Sequence, residues 1–238
     1  MSIETREPLR IVVVGAHPDD PESGCGGLIA KLTGAGHEVV CAYATACARG
    51  RMCGGRPERE VREAEARAAC ELLRAKAMFF PYEHETFAVT PVILETFSQW
   101  LRDTAPHIVV AHWPIDTHLN HHAAGSIVWQ CYLQRPAWQL YFFEVMNERQ
   151  TMAFMPGQYL DIGDVCELKR RAVLCHESQN PEEIWRAHER MHGQRGEECG
   201  VQSAEGYCMP CPRRGLEVLP VPMLFGKKRG GRGQEHHA

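Results

Sequence analysis

The sequence predicts an α/β fold, a mostly parallel sheet sandwiched between helices, and three features carry that prediction. Residues 11–14, Ile-Val-Val-Val, form an unbroken apolar run that ends at Gly15, the pattern of a strand buried on both faces. Residues 107–111, HIVVA, repeat that pattern. Each run ends in a sharp flip to histidines and carboxylates, and segments of helical periodicity separate the strands. Ligands of open α/β sheets gather at the carboxyl ends of strands, so both flips mark candidate chemistry.

Taken in order, the first flip places His17, Asp19 and Asp20 around Pro18, which stiffens the loop. The small residues that follow, Gly24, Gly26 and Gly27, are not a GxGxxG dinucleotide fingerprint, and paired acids there would repel a pyrophosphate. Residues 26–35 read as a short helix with Leu28, Ile29 and Leu32 on one face, and 37–45 as a second strand by β-branched content. Segment 46–57, rich in Gly and Arg, has no periodicity and reads as a loop whose Arg49, Arg51 and Arg56 meet either a polar substrate or solvent. Residues 58–75 make the clearest helix, striped by Val61, Ala64, Ala68 and Leu72. Glu65 falls inside that stripe and needs a partner, either Arg62, another cation, or a substrate. A third strand over 77–80 and a helix over 91–105 lead to the strand at 107–111.

The second flip holds His112, Asp116, His118, His121 and His122, and a helix starts near Asn120, a good cap residue. A strand over 139–144 and a loop over 154–163 follow. The helix at 164–175 sets Lys169, Ala172 and His176 on one face. A last helix over 181–191 opens on Pro181, with Glu182 and Glu183 suiting its dipole. Beyond Gly193 the composition turns to Gly, Cys, Pro and Arg. Residues 1–193 therefore read as one domain and 194–238 as an irregular extension with a disordered tail.

A chain of 238 residues holds one α/β domain with a full core. The net charge of -4 argues against nucleic acid as a partner. No apolar run approaches the roughly eighteen residues that cross a bilayer. Residues 1–10 lack the apolar core of a signal peptide, so a cytoplasmic location is expected. Eleven cysteines, an odd number, exclude a fully paired disulfide framework. Cys41, Cys70, Cys131, Cys166 and Cys175 sit in apolar contexts as reduced, buried thiols, whereas Cys199, Cys208 and Cys211 offer a redox pair or three ligands of a structural zinc.

His17 and Asp20 are a nitrogen and an oxygen ligand of the kinds zinc accepts. One histidine from the second flip completes a three-ligand site with a position left for water. An HxxD alone is more often a turn, so the second cluster gives the first its meaning. AHPDDPESGCGG followed by DTHLNHHAAG, with REAEARAACELL between them and KRRAVLCHESQ after, resembles the PIG-L/LmbE-like zinc deacetylases over residues 9–179. That resemblance implies a Rossmann-like three-layer sandwich and a Zn2+ ion held by His17, Asp20 and His121. It further implies Asp19 as general base and His118 at the developing oxyanion or leaving amine, where a protonated histidine would complete the hole. The implied substrate is a small N-acylated amine, foremost an N-acetylated amino sugar or its conjugate, and the implied assembly a homo-oligomer, trimer or hexamer. Candidate substrate contacts are Arg49, Arg62, Glu65, Asp116, Lys169 and His176. The chain departs from the family at Asn120, where Asp is usual, and at Cys47-Ala48, where Gly-Glu is common. A neutral amide supports an imidazolium on His118 less well, with Asp116 available to compensate. The alternative is a zinc-bearing homologue that binds its ligand without turnover.

Overall fold

The computed structural model describes residues 7–146 and 149–210. In chain order its elements begin β1 (Arg10–Gly15), α1 (Asp20–Gly34), β2 (Glu38–Thr45), a hairpin of β3 (Met52–Cys53) and β4 (Arg56–Pro57), α2 (Glu58–Leu72), β5 (Lys76–Tyr82) and α3 (Pro91–Thr104). They continue with β6 (Ile108–His112), α4 (Leu119–Gln134), β7 (Gln139–Phe143), β8 (Gln158–Asp161), α5 (Cys166–Leu174), α6 (Pro181–Cys199) and β9 (Ala204–Tyr207). The central sheet is wholly parallel, in the order β5-β2-β1-β6-β7.

The unbroken apolar runs follow from this placement. In β1, Ile11 and Val13 face α1, α2 and α5, while Val12 and Val14 face α3 and α4, and all four are fully buried. Burying each such side chain contributes roughly 1.5–3 kcal/mol. The sheet with helices on both faces is the expected sandwich. Among the described residues no helix is long and apolar enough to cross a membrane.

Three expectations are corrected. The first helix starts at Asp20 rather than at residue 26, because its glycines are packing sites inside the helix: a Cβ on Gly24 would lie 2.3 Å from the Phe143 ring, and one on Gly27 would lie 2.3 Å from Ile162. His118, not Asn120, caps α4, its ring accepting the Asn120 backbone N–H at 3.3 Å. The last helix does not stop at residue 191: α6 runs on to Cys199, and β9 pairs antiparallel with β8, which lies in the stretch read as loop. Glu205 of β9 reaches back across the fold, accepting the backbone N–H groups of Gly27 and Leu28 at 2.7 and 2.8 Å. Lys169 Nζ donates to the same carboxylate at 2.7 Å and meets His192 Nε2 at 2.8 Å. The tail from residue 211, Cys211 included, lies outside the described residues. Cys199 is exposed, and neither it nor Cys208 belongs, among the described residues, to a group of donors close enough for one ion.

Candidate functional site

The chain runs from β1 to β2 and β5 on one side of the sheet, and to β6 and β7 on the other. The order therefore reverses between β1 and β6, which pair in register from Ile11↔Ile108 to Val14↔Ala111. A crevice opens at such a reversal, beyond the carboxyl ends of the strands. His17 follows β1, Asp20 opens α1, and His121 lies in the first turn of α4. Gly125 lets α4 approach closely, since a Cβ there would sit 2.4 Å from the His112 carbonyl oxygen.

These residues converge. His17 Nδ1 lies 3.2 Å from His121 Nε2 and 3.3 Å from Asp20 Oδ2, and His121 Nε2 lies 3.4 Å from Asp20 Oδ1. Four-coordinate zinc with ligands at about 2.0–2.1 Å separates its donors by roughly 3.3–3.4 Å along each tetrahedral edge. Lone pairs face this point. Nε2 of His17 meets Asn120 Oδ1 at 3.2 Å, which puts the proton on Nε2 and leaves Nδ1 bare. Nδ1 of His121 faces Asp116 Oδ1 at 3.4 Å, long for a hydrogen bond but suited to an N–H on that side. In these tautomers two bare imidazole nitrogens and a carboxylate turn towards one another. The set fits a divalent cation.

The local electrostatics agree. Burial alone would raise the Asp20 carboxyl, but the imidazoles of His121 and His112 hold it well below the usual carboxylate range. Burial would lower His121, yet Asp20 and Asp116 raise it, so a proton competes for the place a cation would take. His112 stacks on His121 with centroids 4.3 Å apart, and its Nε2 is 3.1 Å from Asp20 Oδ2. Asp20, His112 and His121 form one candidate donor group, and His17, His118 and His121 another.

Asp19 stands beside these donors. It is held at φ 124°, a conformation an L side chain adopts only under constraint. Arg62 supplies that constraint, donating to the Pro18 carbonyl at 2.9 Å and pairing with Asp19 Oδ2 at 3.5 Å. Burial pushes the Asp19 carboxyl up while Arg62 opposes it. On the other side, burial and the imidazoles of His17 and His121 press His118 down to about 4. Its Nδ1 accepts the Asn120 N–H, so Nε2 carries the proton of a neutral ring. Burial and the neighbouring imidazoles thus oppose the protonated His118 that the sequence reading expects.

The cavity above the donors has a volume of about 430 Å³. Arg62, His84 and His118 line one part of it, and Gln179, Asn180 and His188 another. Of the six candidate substrate contacts only Arg62 is there. Arg49 is exposed and pairs with Glu83 at 2.6 Å. Glu65 accepts Ser178 N and Oγ at 2.8 and 2.7 Å and so fixes the turn that presents Gln179. Asp116 accepts His118 N and Thr151 Oγ1 behind His121. Lys169 is fully buried at Glu205, and His176 is fully buried with Nε2 3.4 Å from Glu22 Oε2. The helical stripe placed Lys169 and His176 on a common inward face, and inward meant core rather than cavity.

Two histidines of the cavity wall escaped the sequence reading. His84 comes from the β5–α3 loop, its ring edge-on to His17 with centroids 4.7 Å apart, and nothing in its neighbours announces it. His188 lies one helical turn before His192 on the buried face of α6, a spacing that could have revealed it.

Residues 12–132, just over half of the chain, match the family described as PIG-L: GlcNAc-PI de-N-acetylase. The diacetylchitobiose deacetylase of Thermococcus kodakarensis is 28% identical over 198 residues, which cover 74% of this chain and 72% of that protein. The crystal structure of a conserved protein from Thermus thermophilus aligns with a TM-score of 0.71 at 28% identity, covering 88% of this chain and 97% of that one. GalB, the 4-carboxy-2-hydroxymuconate hydratase of Pseudomonas putida, aligns with a TM-score of 0.75 at 23% identity over 89% of this chain and all of its own, a likeness of fold alone.

Proposed function

We propose, from the premise that this chain belongs to the PIG-L de-N-acetylase family, that it is a zinc-dependent hydrolase removing an N-acetyl group from an amino sugar or amino-sugar conjugate. One observation carries the reading: His17 Nδ1, His121 Nε2 and the two oxygens of the Asp20 carboxylate approach one another at 3.2–3.4 Å, with the Asp19 carboxylate next to Asp20 in sequence and paired to Arg62.

His17, Asp20 and His121 would hold the ion, which supplies Lewis acidity and lowers the pKa of a bound water from about 15.7 towards 7. Asp19 takes the proton of the attacking water, a task that needs a carboxylate near the metal but off it. The neutral His118 directs its Nε2–H at the carbonyl oxygen as negative charge grows there. Asp19 then returns its proton to the departing nitrogen, so water and amide become a carboxylic acid and a free amine. Arg62 keeps the Asp19 loop in its constrained shape throughout. The cavity's size and polar walls suit a small hydroxylated substrate.

The experiment is an acetate-release screen on zinc-loaded protein with N-acetylglucosamine and N,N'-diacetylchitobiose, alongside metal content for His17→Ala and His121→Ala. Release by the wild type, with both variants metal-poor and inactive, supports the proposal. Metal content and hydrolysis unchanged in both variants would overturn it. Metal binding by the wild type without release on either sugar favours the ligand-binding homologue.

A further inference from the structure

Asn120 is 4% exposed and all of its polar groups are engaged within the protein. Its Nδ2 faces two backbone carbonyls, that of His84 at 2.9 Å and that of Phe87 at 3.3 Å. A carbonyl oxygen only accepts, so the amide nitrogen must lie on that side and Oδ1 on the other. Oδ1 in turn only accepts, so the His17 Nε2 facing it at 3.2 Å must carry a proton. The backbone N–H of Asn120 meets His118 Nδ1 and places that ring's proton on Nε2 as well. One side chain and its own amide thus settle the tautomers of two imidazoles.

The two ends of the amide also join different parts of the site. His84 and Phe87 belong to the β5–α3 loop, which carries His84 into the cavity wall. The same loop is held from below by the His84 N–H on the Cys47 carbonyl at 3.1 Å. An aspartate at position 120 could accept from His17 but would turn an oxygen towards two carbonyl oxygens, with no donor between them. The two carbonyls of this loop therefore call for the donor that asparagine supplies at position 120.

We infer that Asn120 is a positioning residue which fixes His17 as a metal ligand and couples ion binding to the order of the 83–87 cavity wall. The inference rests on the metal site of the proposed function. Partners that orient a ligating histidine change metal affinity by about 10–100-fold when removed. An ion that anchors His17 also anchors the amide leaning on it, and through Nδ2 the loop.

Two measurements on wild type, Asn120→Ala and Asn120→Asp test this without any substrate: zinc affinity by competition with a chromophoric chelator, and amide hydrogen exchange over residues 84–87 with and without zinc. Circular dichroism verifies that the variants fold. Wild type should gain protection over 84–87 on zinc binding. Asn120→Ala should bind zinc about 10–100-fold more weakly and lose that gain. Asn120→Asp should keep zinc affinity within about tenfold of wild type, because it still accepts from His17, yet lose the loop protection. Wild-type zinc affinity in Asn120→Ala, or retained zinc-linked protection in Asn120→Asp, would overturn the inference. Failure of acetate release alongside the expected affinities would overturn the deacetylase reading alone, and a wild type that binds no zinc would overturn both.

Discussion

Replacing Asp19 by Asn tests the division of labour between ligand and base. Asparagine keeps the shape of aspartate and tolerates positive φ comparably, so the constrained turn at φ 124° and the Ser23 N–H on the Asp19 carbonyl at 2.9 Å should persist. The three donors belong to other residues, so zinc content should stay near one ion per chain. What disappears is the proton acceptor and the charge that Arg62 meets at 3.5 Å. Arg62 retains its bond to the Pro18 carbonyl, which limits the cost to stability. General-base catalysis contributes about 10²–10⁴-fold, or roughly 3–5 kcal/mol of barrier at 1.36 kcal/mol per decade. Acetate release under kcat/KM conditions should therefore fall by about that factor, with metal content measured on the same sample. A variant that carries its zinc and stays within tenfold of the wild-type rate would remove Asp19 from the role of base.

Three further perturbations follow from the packing. Lys169→Met strips the cation from a fully buried carboxylate and should cost about 3–5 kcal/mol in urea unfolding, with Lys169→Met/Glu205→Gln recovering a measurable part; a loss under 1 kcal/mol would contradict the buried pairing. Gly125→Ala drives a Cβ to 2.4 Å from the His112 carbonyl, so α4 must shift; about 1–3 kcal/mol of stability and tighter zinc binding should both be lost, as urea unfolding and chelator competition would read. Burial, reinforced by Lys169, lowers His188 to about 3 against 6.5 in the unfolded chain. The unfolded state then binds the extra proton between those values, so stability is complete above pH 6.5 and declines as pH falls towards 3. His188→Gln should lessen that decline by about 1.4 kcal/mol per pH unit between pH 5.5 and 4.5 in chemical denaturation, and an unchanged slope would deny His188 this part.

The sheet and the two polar clusters that it brings together were legible because each leaves a local trace. A strand covered on both faces must be apolar at every position, and the polarity flips after β1 and β6 sit where the strand order reverses. What stayed hidden depends on contacts distant in sequence. Residues 20–25 read as loop because only the Phe143 ring packed against Gly24 explains why a helix forgoes a side chain there. Glu65 and Lys169 read as substrate contacts because a charge on an apolar stripe announces a partner without naming it, and the partners proved to be Ser178 and Glu205. The last helix read as ending at residue 191 because the glycines beyond it look like breakers, whereas Gly196 lies inside α6 to admit the turn that follows, where a Cβ would sit 2.7 Å from the Val201 carbonyl. Asn120 read as a cap and a weakened acid because its side-chain partners, His17 on one side and His84 and Phe87 on the other, come from two segments distant in sequence.

The bond from Glu205 to α1 sets an order on the protein's biosynthesis. Chains emerge from the ribosome amino end first, so His17, Asp20 and His121 are all translated well before the residue that fastens the helix bearing Asp20. A nascent chain halted short of residue 205 owns every donor and lacks the clasp. Fastening of the helix that bears Asp20 is thereby tied to synthesis of the chain through residue 205.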